Sequence, residues 1–181
     1  MPAAIADLIV GWSGTVCRHI PVDSPYSVLD TRFAARSRVN RWNRFGEPTL
    51  YFASDHAVLV GEVARHLQED RDAAIGARLS ARRIYHLGLQ LDALFDLRDA
   101  RAAEVLSLSN APACFLDGAI ARATAGFLRA TTPAQALLAP SMAFLDQPAR
   151  WVMVLFLEKV NAGLDNVVVA VEEDGILRLE P

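Results

Sequence analysis

Lysine is almost missing from this chain of 181 residues: Lys159 stands alone against 17 arginines. Basic residues total 18 and acidic residues 21, for a net charge of −3 and a pI of about 5.8. That balance excludes a protein that coats nucleic acid or an anionic membrane through general positive charge. Cysteine is scarce too. Cys17 and Cys114 are far apart and form no C-x-x-C, which excludes a disulfide framework and reads as two buried thiols in a reducing compartment. His19, His56, His66 and His86 include no pair at i, i+4, and none lies beside a cysteine pair, so no metal site is expected. Neither G-x-G-x-x-G nor G-x-x-x-x-G-K-[ST] occurs, and Gly11-Trp12-Ser13-Gly14 is one residue short of a nucleophile elbow. No apolar stretch reaches the roughly 20 residues of a membrane span. The opening residues have no basic segment and meet Asp7 early, so a cytoplasmic protein is expected.

What is present is a globular composition. Apolar residues make up 52% and charged residues 22%, at a mean hydropathy of +0.21. The length suits one domain with a sizeable core, and no linker or internal repeat divides it. The charges are unevenly placed. Arg32, Arg36, Arg38, Arg41 and Arg44 fall within 13 residues, and no acid lies between Asp30 and Glu47. Residues 1–83 carry a net +2 and residues 84–181 a net −5. This points to a local anion site in the first half of the chain, supplied by the arginine-rich loop.

Gly14 to Ile20 reads as a strand ended by Pro21, and residues 21–47 as a long ordered loop. Pro48 to Ala53 is a strand, and Ser54-Asp55 caps a helix over Ala57 to Gln68 with Val60, Ala64 and Leu67 on one face. Glu62 lies off that stripe, beside Val58 and Arg65. Ile84 to Leu91 alternates as a strand. Leu97 to Leu106 and Phe115 to Leu128 read as helices, the second with Phe115, Ala119, Ala123 and Phe127 at near-helical spacing. Gln135 to Ala139 is a short strand ending at Pro140-Ser141, and Trp151 to Leu157 a buried one. Val167 to Val171 and Ile176 to Leu179 flank Asp174-Gly175, a hairpin signal. The mixture lacks a strict βαβ rhythm, so the expected class is α+β with mainly antiparallel sheets and flanking helices.

Arg41, Tyr51, Glu62 and Ser141 stand out in this layout. Arg41-Trp42-Asn43, then Leu50-Tyr51-Phe52-Ala53-Ser54, then Glu62 on the next helix resembles the signature of the RES-domain family, named for an Arg, a Glu and a Ser. Pro140-Ser141 before an apolar strand, and Arg18 in the first strand, are similar to that family as well. The likeness spans about 14–160 of a single domain, 1–181. It departs at Val39-Asn40, where the family often has glycines, and at His19, where it often has an aromatic.

The resemblance implies a fold similar to diphtheria-toxin-type ADP-ribosyltransferases and a bacterial toxin of a toxin–antitoxin pair. The implied reaction consumes NAD as substrate, without metal, by hydrolysis, by phosphorolysis with inorganic phosphate, or by transfer of ADP-ribose to a protein. The implied partner is an antitoxin with a helix-turn-helix domain, with no membrane and no direct nucleic-acid binding. Glu62, Arg41 and Tyr51 are then the catalytic candidates, and Arg18, Ser141 and Asn43 the substrate-binding ones.

The residue chemistry suits such a reaction. Breaking the nicotinamide–ribose bond builds positive charge on the ribose, which a fixed carboxylate stabilises. A guanidinium fork at Arg41 or Arg18 matches a diphosphate. The face of Tyr51 suits a cationic pyridinium, and the Ser141 hydroxyl suits a phosphate or carboxamide oxygen. Structural readings stand beside these. Arg41 as a solvated loop charge, Tyr51 as a core aromatic, Glu62 as a surface partner of Arg65, Ser141 as a strand-end cap and Arg18 as half of an ion pair are the alternatives. An arginine loop that binds an anionic partner without chemistry is the non-enzyme alternative.

Overall fold

The computed structural model describes residues 3–38, 40–69, 81–160 and 163–178. Val39 and Leu179, and the side chain of Leu67, lie outside them. The elements in chain order are α1 (Ala3–Ala6), β1 (Ile9–Pro21), β2 (Thr49–Ala53), α2 (His56–Glu69), β3 (Arg82–Asp96), α3 (Ala100–Val105), α4 (Gly118–Thr131), β4 (Ala136–Pro140), β5 (Trp151–Phe156) and β6 (Val168–Leu177). Short 3-10 turns lie at Ala113–Leu116, Leu157–Lys159 and Leu164–Asn166. This is one α+β domain, and its strand pairings are antiparallel except β3 with β4.

The pairings close on themselves. β1 pairs with β2, β2 with β5, β5 with β4, β4 with the end of β3, and β3 runs back along β1 from Ile9 to Pro21. β6 adds to the other edge of β3. The weak link is β1 to β2, which meet at a single register pair, Cys17 with Ala53. Beyond it the two strands part, and the gap between residues 18–21 and 49–52 opens the cavity described below.

Alternation along the strands sorts the core onto two sides of the sheet. Val16, Leu50, Phe52, Leu87, Leu89, Leu138, Met153 and Leu155 pack on one side. On the other, Phe95, Leu137, Val154 and Phe156 meet α4 through Ala121, Ala125 and Leu128. Cys17, Ala53 and Ile84 meet α2 through Val58 and Leu59. At roughly 1.5–3 kcal/mol for each fully buried large apolar side chain, these faces supply the main drive to fold.

Several sequence expectations change. The hairpin at Asp174-Gly175 does not form: β6 runs through it. Ile84 pairs with Gly175 and Tyr85 with Glu173, which leaves Asp174 as the extra residue of a β-bulge. Gly175, at φ +154°, absorbs the irregularity, because Asp-Gly favours a bulge for the same backbone reason that it favours a turn. The helix expected from Phe115 begins later. Asp117 caps α4 by accepting from the Ala119 amide at 2.7 Å. Its buried side is Ala121, Thr124, Ala125, Leu128 and Arg129, whereas Ala119, Ala123 and Phe127 face outward. In α2 the buried side is Val58 and Leu59 rather than the stripe through Val60 and Ala64. The cap at Asp55 is as expected, accepting from the Val58 amide at 2.9 Å.

The candidate active site

The cavity measures about 1300 Å³ and is lined by the parted ends of β1 and β2, the inner side of α2, the 22–42 loop and the turn before α4. Glu62 sits on its wall. Because Glu62 shares the inner side of α2 with Val58, its carboxylate meets the segment that follows β4. Oε1 accepts from Ser141 Oγ at 2.6 Å and from the Ala143 amide at 3.3 Å. Oε2 accepts from Arg65 Nε at 3.2 Å and Nη2 at 3.1 Å. The carboxylate is held on both oxygens and is still 22% exposed.

Gly61 permits this arrangement. A Cβ there would lie 2.7 Å from Phe144 Cε2 and 3.1 Å from Ala143 Cβ. The loop that carries Ser141 and Ala143 therefore packs directly on the backbone of α2. Ser141 itself is fully buried and does not line the cavity, so its proton goes to Glu62.

Tyr51 is the second anchored group. Its hydroxyl donates to Asn43 Oδ1 at 2.7 Å and accepts from the Trp42 amide at 3.2 Å. Burial, its largest influence, pushes the phenol above its ordinary range, so the group stays neutral and the ring lines the cavity. Asn43 is fully buried. It also accepts from Asn40 Nδ2 at 2.9 Å and donates to the Arg44 carbonyl at 3.0 Å. Asn43 thus reaches the cavity through Tyr51 and not directly.

The arginines are arranged differently from the sequence expectation. Arg32, Arg36 and Arg38 lie over the rings of Tyr26, Phe33 and Phe45 within their own loop. Of the five clustered arginines only Arg41 lines the cavity. Its Nη1 donates to the carbonyls of Phe115 at 2.8 Å and Leu116 at 2.7 Å, which ties the loop to the turn before α4. Among the described residues the other cavity guanidiniums are Arg18, Arg65, Arg82 and Arg122, from β1, α2, β3 and α4. Arg18 lies 5.6 Å from the Phe52 ring centre, and burial lowers its pKa to about 10, so it remains charged at neutral pH. Spacing reveals Arg65 through its i, i+3 relation to Glu62. Arg82 and Arg122 arrive by strand pairing and helix docking, which no local pattern marks.

Cys17 also lines the cavity, but burial, then Asp55 and Asp174, pushes its thiol up to about 11. It is a poor nucleophile at neutral pH. Among the described residues no group of three or more His, Cys, Asp or Glu is placed to hold a metal ion. No helix among them is long and apolar enough to cross a membrane.

Arg41, Glu62 and Ser141 are the three residue types for which the RES family is named. The chain belongs to that family: the RES domain model matches residues 16–178. Among solved structures it is similar to a chain of the M. tuberculosis MbcT–MbcA toxin–antitoxin complex. The TM-score is 0.69 at 20% sequence identity, over 95% of this chain and 90% of that one. No curated protein sequence matches it.

Proposed function

We propose that this protein is the toxin of a toxin–antitoxin pair and that it cleaves the nicotinamide–ribose bond of NAD, with an antitoxin as its partner. The observation that carries the reading is the Glu62 carboxylate, braced by Ser141, Ala143 and Arg65 at the wall of a cationic cavity. The proposed likeness to diphtheria-toxin-type ADP-ribosyltransferases belongs to the same reading.

In this reading the bond from ribose C1′ to the pyridinium nitrogen breaks and nicotinamide leaves with the bonding pair. The departing ring becomes neutral and the ribose carries the positive charge. Glu62 faces that charge, already oriented, so little reorganisation is needed in the transition state. No strong acid is required, because the leaving ring gains no proton. An acceptor oxygen then adds to C1′: water gives ADP-ribose, phosphate gives its phosphorylated form, and a protein side chain gives a modified protein. Tyr51 offers its ring face to the cationic pyridinium. Ser141 and Asn43 are positioning residues, acting through Glu62 and Tyr51. Arg41 holds the loop side of the cleft through Phe115 and Leu116.

A protein partner is supported by α4. Its two arginines turn inward, to the Asn40 carbonyl and to Glu158, and leave an outer side with Ile120 and Phe127 exposed and no charge. Leu116, which lines the cavity, continues that apolar side.

The test is incubation of the purified protein with NAD labelled in its ADP-ribose portion. Release of nicotinamide with labelled ADP-ribose or its phosphate supports degradation. A labelled protein band favours transfer. No loss of NAD, together with salt-sensitive RNA or DNA binding, favours the binding module.

A further inference from the structure

Each hydrogen-bonding position of the buried Asn43 amide is filled, and the filling fixes a direction. Nδ2 donates to the Arg44 carbonyl at 3.0 Å and the Glu47 carbonyl at 3.4 Å. A carbonyl can only accept, so the amide cannot be turned over and Oδ1 must be its acceptor. Two donors share that oxygen: the Tyr51 hydroxyl at 2.7 Å and Asn40 Nδ2 at 2.9 Å. The Tyr51 oxygen accepts from the Trp42 amide, which leaves its own proton for Asn43.

The order continues outward. Asn40 directs Nδ2 at Asn43, so its Oδ1 faces Ser37, whose hydroxyl donates to it at 2.9 Å. The Asn40 carbonyl accepts from Arg122 Nη1 of α4 at 3.1 Å. Asn40 is thereby held by its own loop on one side and by α4 on the other. The route from Ser37 through Asn40 and Asn43 ends on Tyr51, whose ring lines the cavity.

We propose that Asn40 is a positioning residue: acting through Asn43, it sets the tilt of the Tyr51 ring that receives the cationic pyridinium. The inference deepens the NAD reading and rests on it for the pyridinium. A ring attracts a cation that lies over its face, so the tilt of the ring matters as much as its presence. The attraction belongs to the bound substrate and fades as the bond to ribose breaks, because the departing ring becomes neutral. Asn40 therefore acts on the binding of NAD more than on the chemical step.

Asn40→Ala should raise KM for NAD roughly 3- to 10-fold, the worth of one neutral hydrogen bond, without lowering kcat. Affinity for ADP-ribose, which has no pyridinium, should be unchanged by calorimetry. Asn40→Asp fills the same space and still accepts from Ser37 but cannot donate to Asn43, so it should do no better than alanine. In Tyr51→Phe the ring has no hydroxyl to hold, and adding Asn40→Ala should change KM no further. An equal rise in both backgrounds, a wild-type KM in Asn40→Asp, or a matching loss of ADP-ribose affinity overturns the role. A second measurement needs neither a variant nor turnover. The Tyr51 hydroxyl proton and one Asn40 side-chain amide proton approach the same oxygen, so nuclear magnetic resonance of the wild type should show a strong cross-relaxation peak between them. Its absence overturns the positioning. Its presence in a protein that leaves NAD intact overturns the reaction and not the positioning.

Discussion

Ser141 Oγ donates to Glu62 Oε1 across 2.6 Å, joining the segment after β4 to the inner side of α2. The serine is fully buried and the carboxylate partly open, so the pair points in one direction: the serine fixes the glutamate and the glutamate faces the cavity. Ser141→Ala should therefore lower kcat by roughly 10-fold or more, the worth of a hydrogen bond to a charged group, and leave KM for NAD nearly unchanged. Steady-state kinetics check this. A rise in KM alone would instead place the hydroxyl on the substrate.

Gly61→Ala is a geometric test of the same contact. Helix propensity alone favours alanine by about 1 kcal/mol. The added Cβ would lie 2.7 Å from Phe144 Cε2 and 3.1 Å from Ala143 Cβ, so the loop must shift away from Glu62. The variant should melt at a lower temperature than wild type and lose activity together with Ser141→Ala. A stabilised, fully active Gly61→Ala protein contradicts the packing described here.

Tyr51→Phe separates the two ends of the tyrosine. The ring face remains, while Asn43 Oδ1 and the Trp42 amide each lose one partner. Stability should fall by about 1–2 kcal/mol, read by denaturant unfolding. KM for NAD should change less than it does in Tyr51→Leu, where the ring is lost.

Acid should loosen the cleft through His19. Its folded pKa of about 4 lies below the ordinary 6.5 because of burial, Arg82 and Arg18. Its neutral form is the one the fold accepts, so the stability it contributes is present above pH 6.5 and is lost as pH falls toward 4. His19→Asn should flatten that part of the curve of melting temperature against pH. An unchanged curve would mean that the imidazole titrates normally.

Much of this was legible in the residues. Alternation marked the first half of β3, a continuous apolar run marked β5, and Asp55 marked the start of α2. The placement of Glu62 beside Arg65 followed from helical spacing alone. What escaped depends on non-local pairing. Asp174-Gly175 has the same backbone preference in a bulge as in a hairpin, and only the register against Ile84 and Tyr85 decides between them. The arginine run suggested an anion site, but Arg32, Arg36 and Arg38 lie over the rings of Tyr26, Phe33 and Phe45. Arg82 reaches the cavity because β3 pairs with β1, a relation that no short motif carries. Ser141 was recognisable by resemblance, whereas its bond to Glu62 spans 79 positions and needed the fold.

The most direct measurement is NAD turnover by Glu62→Gln. The amide keeps the size of the side chain and loses the charge that faces the ribose. Glu62→Gln should fold, still bind ADP-ribose and release nicotinamide roughly 10²-fold more slowly or worse. Wild-type turnover by a folded Glu62→Gln protein would contradict the assignment of Glu62 as the group that stabilises the transition state.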